Sequence, residues 1–164
     1  MLRKFWNSDR DSARCRNTSC LNRTLWQPDP NGYNSVDAVE VSTFFDEIGG
    51  EAFFTELVSG FYARVATDPI LRPMYPESDM KGAAWRLQKF LEQYWGGPSA
   101  YSEERGHPRL RMRHAGFHID LAARDAWLSC MMAAINDLEI EESLRNQLVG
   151  YVEMAAHSMV NQPS

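Results

Sequence analysis

Phe53-Phe54-Thr55-Glu56-Leu57-Val58-Ser59-Gly60-Phe61-Tyr62-Ala63-Arg64-Val65 sets apolar side chains at relative positions 0, 1, 4, 5, 8, 9 and 12. That rhythm predicts an amphipathic helix of about four turns. Asp68-Pro69 stops it, and Pro73 and Pro76 keep the following stretch short. Upstream, Phe44, Phe45 and Ile48 make a short apolar turn closed by Gly49-Gly50. Downstream, Met80, Ala83, Ala84, Leu87, Phe90, Leu91, Tyr94 and Trp95 repeat the helical period until Gly96-Gly97-Pro98 ends it. Residues 98–108 read as a polar loop, and Arg109 to His114 as one or two helical turns. Asp120 is placed to cap a third long helix carrying Trp127, Leu128, Met131, Ala134, Ile135 and Leu138. The fourth carries Leu144, Leu148, Tyr151, Val152, Ala155, Ala156 and Met159. No segment alternates with period two, so the predicted fold class is all-α.

The chain's 164 residues suffice for one domain. With 44% hydrophobic and 24% charged residues, it is not a fibre or a chain disordered throughout. No apolar run approaches the ~18 residues of a membrane span. The net charge of −5 does not favour a cleft that tracks nucleic-acid phosphates. Three cysteines, an odd number at no metal-like spacing, point to a reducing, cytoplasmic setting. Residues 1–41 hold six basic and five acidic residues and scattered Phe5, Trp6, Leu25 and Trp26 without a period. They are expected to be a poorly ordered extension, with 42–164 as the folded domain.

The apolar faces hold aromatics with polar tips, namely Tyr62, Tyr94, Trp95 and Trp127. Each can satisfy itself on a backbone carbonyl, or several can face a hydrogen-bonding ligand in an apolar cavity. His114 and His118 have i, i+4 spacing, but HExxH is absent and Gly116 weakens a helix through both, which disfavours zinc. His114 lies between Arg113 and Ala115, with Arg111 close by and with Met112 and Phe117 able to face an apolar interior. An imidazole with guanidinium groups nearby suits a planar, iron-containing ligand with carboxylate arms, of which haem is one. There is no phosphate loop and no GxSxG elbow. Cys130, among Leu128, Met131 and Met132, reads as a buried inert thiol.

The stretch Arg86-Leu87-Gln88-Lys89-Phe90-Leu91-Glu92-Gln93-Tyr94-Trp95-Gly96-Gly97-Pro98 resembles the second long helix of group II truncated haemoglobins. Tyr101 through His114 resembles the loop that leads to their proximal histidine. Phe61-Tyr62, Tyr75-Pro76, Arg124-Asp125-Ala126-Trp127-Leu128 and Met154-Ala155-Ala156-His157-Ser158 complete the likeness, which is strongest to the actinobacterial branch. The resemblance implies a two-over-two helical sandwich around haem b, with His114 as the iron ligand. It implies that Tyr62, Tyr75 and Trp127 line the distal side, with Ala83 at the gate position, Leu87 one turn deeper and Phe90 along the wall. Arg86, Tyr101, Arg111 and Arg113 are its candidates for propionate contact. The implied function is binding of dioxygen at ferrous haem for storage or delivery, with carbon monoxide and nitric oxide as further diatomic ligands. The alternative is a nitric oxide dioxygenase or peroxidase-like redox enzyme fed by an outside reductase. A helical interaction module without haem is a third reading, and the wide apolar faces leave room for a homo-oligomer. Two features depart from the family: the extension through Val41, and Gly116 where several relatives have proline.

Overall fold

The computed structural model describes residues 42–76 and 79–162, all within the unit 40–164. The expected extension, 1–41, lies outside the described residues. Among the described residues, seven α-helices follow in order: α1 Phe44–Glu47, α2 Gly50–Val65, α3 Met80–Tyr94, α4 Ala100–Arg105, α5 Leu110–His114, α6 Leu121–Asn136 and α7 Glu142–Met159. A 3-10 turn, Arg72–Met74, lies between α2 and α3. No strand occurs among the described residues.

The four long helices form the two-over-two sandwich, with α2 packed on α3 and α6, and α6 packed on α7. The periodic face of α2 is the centre of the core: Phe54, Leu57, Phe61 and Val65 are fully buried. They meet Met131, Ile135, Leu148 and Val152 from α6 and α7. Each such side chain stabilises the fold by about 1.5–3 kcal/mol relative to exposure.

The termini of these helices follow local chemistry. Thr43 and Asp46 form a reciprocal capping box at α1, with Thr43 Oγ1 accepting from the Asp46 N–H at 3.2 Å. The expected Asp120 cap is present, its Oδ1 accepting from Ala123 N–H at 2.8 Å. Gly96-Gly97 does more than end α3. A side chain on Gly97 would press on the Phe45 ring at 2.7 Å and the Glu92 carbonyl at 2.9 Å. The bare backbone lets α1 dock there, with Phe45 N–H donating to Trp95 O at 3.0 Å.

One expected loop is partly helical. Residues 100–105 form α4, because tertiary anchors outweigh the polar local sequence. Tyr101 is 4% exposed, and the Gln93 side chain holds Ser102 by its backbone N–H at 2.9 Å and its hydroxyl at 2.7 Å. A buried charge also went unread in α3. Glu92 is 1% exposed, and its carboxylate accepts from Lys89 Nζ at 2.9 Å and Gln88 Nε2 at 2.8 Å.

Candidate functional site

A cavity of about 730 Å³ opens between α3, α5, α6 and α7. Its size suits a cofactor-sized ligand. Helix α3 supplies Ala83, Arg86, Leu87 and Phe90, which share one face at helical spacing. From α2 comes Tyr62, from the proline-rich turn Tyr75, from α6 Trp127 and from α4 Tyr101. The short helix α5 and the turn after it add Arg113, His114 and Phe117.

Arg111 and Met112, expected at the site, do not line this cavity. Helix α5 advances about 100° per residue, so Leu110, Arg113 and His114 share a face that positions 111 and 112 turn away from. Met112 is 69% exposed, and both residues border a separate dent with Ala115 and Asn161. The expectation that Met112 faces the interior is therefore corrected. Phe117 borders the cavity and is also 44% exposed.

Tyr62 and Tyr75 meet edge to face, ring centroids 5.7 Å apart. Burial pushes the Tyr62 phenol far above its ordinary value, and the facing Tyr75 adds to the shift. Burial raises Tyr75 as well. Both hydroxyls thus stay protonated, which is the form that donates a hydrogen bond. Trp127 packs its ring 5.3 Å from Phe61, tilted by 58°, which ties its indole to the α2 core.

His114 Nδ1 lies 2.8 Å from the Leu110 carbonyl. A carbonyl only accepts, so Nδ1 carries a proton, and in the neutral ring the lone pair is then on Nε2. This is the tautomer that a metal-binding imidazole needs, with its outer nitrogen oriented by a backbone carbonyl. No group of three His, Cys, Asp or Glu side chains gathers as a metal site among the described residues. His118 stands apart, its ring 72% exposed and 3.7 Å from Asp120. One imidazole in a mostly aromatic and aliphatic cavity therefore fits an iron held by a porphyrin rather than an ion held by protein ligands alone.

The cationic side chains differ in what already holds them. Arg86 is forked onto Asp79, at 2.6 Å for Nη2–Oδ2 and 3.3 Å for Nη1–Oδ1. That pairing raises the guanidinium and holds the Asp79 carboxyl below the usual range. Asp79 sits at the N-cap position of α3 yet caps nothing. Arg113 donates from Nε to Pro108 O at 2.8 Å and from Nη2 to Arg105 O at 2.6 Å, closing the loop before α5. Its Nη1 has no hydrogen-bond partner among the described residues.

Sequence reasoning missed Tyr151, Ala155 and Ala156 of α7 as cavity walls, along with Asp79, Arg105 and Arg124. The α7 positions were legible only as a helix face. The signal that could have marked them is the Ala155-Ala156 pair, small residues on a buried face that leave room beside them. Tyr151 stacks on Tyr94 at 4.0 Å, and burial raises its phenol. Cys130 is buried as expected, and burial raises its thiol.

The profile of the family described as bacterial-like globin matches residues 43–161. The group 2 truncated haemoglobin YjbI of Bacillus subtilis is 47% identical over 113 residues, covering 69% of this chain and 85% of that protein. The thermostable haemoglobin of the actinobacterium Thermobifida fusca superposes with a TM-score of 0.73 at 54% identity, covering 75% of this chain and 100% of that one. A truncated haemoglobin from Bacillus subtilis, described as oxygen-avid, superposes with a TM-score of 0.69 at 44% identity, covering 73% of this chain and 100% of that one.

Proposed function

The chain belongs to the bacterial-like globin family as a group II truncated haemoglobin, which implies haem-based oxygen binding; from that premise we propose that His114 holds the iron of haem b and that Tyr62, Tyr75 and Trp127 stabilise bound dioxygen. When bound, the haem supplies a ferrous iron that takes a diatomic ligand reversibly. The chain's residues supply the rest. His114 presents Nε2 because Leu110 O fixes the proton on Nδ1. Leu87 and Phe90 would give the porphyrin apolar walls, with Phe117 at the margin of the cavity. Tyr101 and the Nη1 of Arg113 are the contacts assigned to its carboxylate arms, whereas Arg86 is engaged by Asp79.

Tyr62, Tyr75 and Trp127 would offer O–H and N–H donors to a diatomic ligand held there. A hydrogen bond to a charged acceptor contributes about 1.5–3 kcal/mol. Ala83 puts only a methyl group into the cavity wall, which assigns control of passage to the bulk of Trp127. The single observation behind this reading is the His114–Leu110 contact in a cavity walled by protonated phenols.

The test is the visible spectrum of the haem-loaded ferrous protein, with and without dioxygen and carbon monoxide. A histidine-ligated spectrum that collapses in His114→Ala supports the reading, and an unchanged spectrum sinks it. Nitric oxide consumption with a reductant present then separates the two uses of the site. A single turnover fits a carrier, and sustained turnover fits a dioxygenase served by an outside reductase.

A further inference from the structure

We propose that Asn161, 47 positions from His114 in the sequence, is a positioning residue for the proximal histidine. The inference rests on the reading of His114 as the iron ligand. Its ground is a set of hydrogen bonds from one side-chain amide to three cavity-lining residues. Asn161 Nδ2 donates to His114 O at 3.2 Å and to Phe117 O at 3.0 Å. Asn161 Oδ1 accepts from Ile119 N–H at 3.1 Å. His114, Phe117 and Ile119 all border the cavity. The backbone adds two ties, Asn161 N–H and Gln162 N–H donating to Ile119 O at 2.9 and 3.2 Å.

The brace answers a local weakness. Helix α5 is five residues long, too short to hold its own geometry. Arg113 secures it on the side of Arg105 and Pro108. On the other side the chain runs through Ala115-Gly116, and a Cβ at Gly116 would meet nothing within 4 Å. Packing does not demand a glycine there, so its effect is to leave the backbone free. Phe117 N–H reaches His114 O at 3.0 Å, and Asn161 supplies that carbonyl's second donor. The tilt and height of the His114 ring therefore depend on α7's C-terminal side, not only on α5.

The experiment uses the full haem-loaded chain as wild type, Asn161→Ala, Asn161→Asp and the double variant Asn161→Ala/Gly116→Ala. Asn161→Asp keeps the acceptor for Ile119 and loses both donations to the carbonyls. Two quantities are read: the iron–imidazole stretch of the ligand-free ferrous protein by resonance Raman, and the rate of haem transfer to an excess of apomyoglobin. Both single variants are expected to shift or broaden the stretch and to release haem about tenfold faster, about 1.4 kcal/mol. Gly116→Ala, which stiffens the same turn, is expected to recover part of both changes. In the haem-free chain, amide exchange at Phe117 is expected to quicken in both single variants, and at Ile119 in Asn161→Ala, which removes its side-chain acceptor.

If the stretch is present, is lost in His114→Ala, and is unmoved in both Asn161 variants, this inference fails and the ligand assignment stands. A lower melting temperature with an unmoved stretch also overturns it, because the role is then merely structural. If the wild type lacks the stretch, or keeps it in His114→Ala, the ligand assignment fails and takes the inference with it.

Discussion

Arg86 and Asp79 close their two-pronged ion pair directly over Gly82, where a side chain would meet both of them. A Cβ at Gly82 would overlap Asp79 Oδ1 and lie 2.9 Å from Arg86 Nη1. Gly82→Ala is therefore expected to part the pair while adding a residue that favours helix. The Asp79 carboxyl is held below its ordinary 3.8 chiefly by the Arg86 hydrogen bond. Its stabilising contribution is present above that value and fades as pH falls through the depressed one. A carboxyl titration followed by NMR is expected to show Asp79 returning toward 3.8 in Gly82→Ala. An unmoved titration would mean that the pair survives the added methyl.

Tyr62→Phe and Tyr75→Phe each delete one hydroxyl and keep the ring that packs at 5.7 Å on its neighbour. Each is expected to speed dioxygen release from the haem-loaded protein by about tenfold to a hundredfold. The double variant should fall short of the product, because two donors to one acceptor are coupled. Stopped-flow displacement of dioxygen by carbon monoxide measures all three. Product-like behaviour would show that the hydroxyls act independently.

Burial raises both phenols above the ordinary 10.0. A phenol raised in the folded state stays a donor where a free one has begun to ionise. Its contribution to stability is complete below pH 10.0 and fades as pH rises through the raised value. The dioxygen release rate is therefore expected to be level from neutral pH up to 10.0. A rate that climbs through pH 9 would place an ionised tyrosine at the site.

The four long helices were legible because each buries a face wide enough to impress its period on the sequence, as Phe53 through Val65 does. Polar-tipped aromatics hinted at a cavity, but only likeness to a family joined its two sides, since nothing in the spacing of Tyr62, Tyr75 and His114 brings them together. Met112 was misread as facing the interior because the five residues of α5 carry no period. Helix α4 was missed because its anchors, Tyr101 in the cavity wall and Gln93 on Ser102, are tertiary. Asp79 with Arg86 and Asn161 with His114 escaped for the same reason: a polar residue that looks solvated in a string becomes a partner only when the helices meet.

Glu92 makes that point energetically. It is 1% exposed, and Lys89, itself 17% exposed, bridges it to Glu51 at 2.7 Å. Lys89→Met leaves the carboxylate buried with Gln88 as its remaining donor. A stranded buried charge costs about 3–5 kcal/mol, and the lower end is expected because Gln88 stays. Glu92→Gln should cost less, since the amide is neutral. Urea midpoints order the two variants, and a milder Lys89→Met would show the ion pair to be dispensable.

Trp127 has two separable properties, an N–H and a large ring lodged against Phe61. Trp127→Phe removes the first and keeps much of the second. It is expected to speed dioxygen release about tenfold with little change in the rate of binding. Trp127→Ala removes both and should speed binding as well, because it takes the ring's bulk out of the cavity wall. Flash photolysis of the carbon monoxide form reads the binding rate, and stopped flow reads release. If Trp127→Phe altered neither rate, the indole would have no part in holding ligand. If Trp127→Ala also left binding unchanged, passage would be governed elsewhere along the wall.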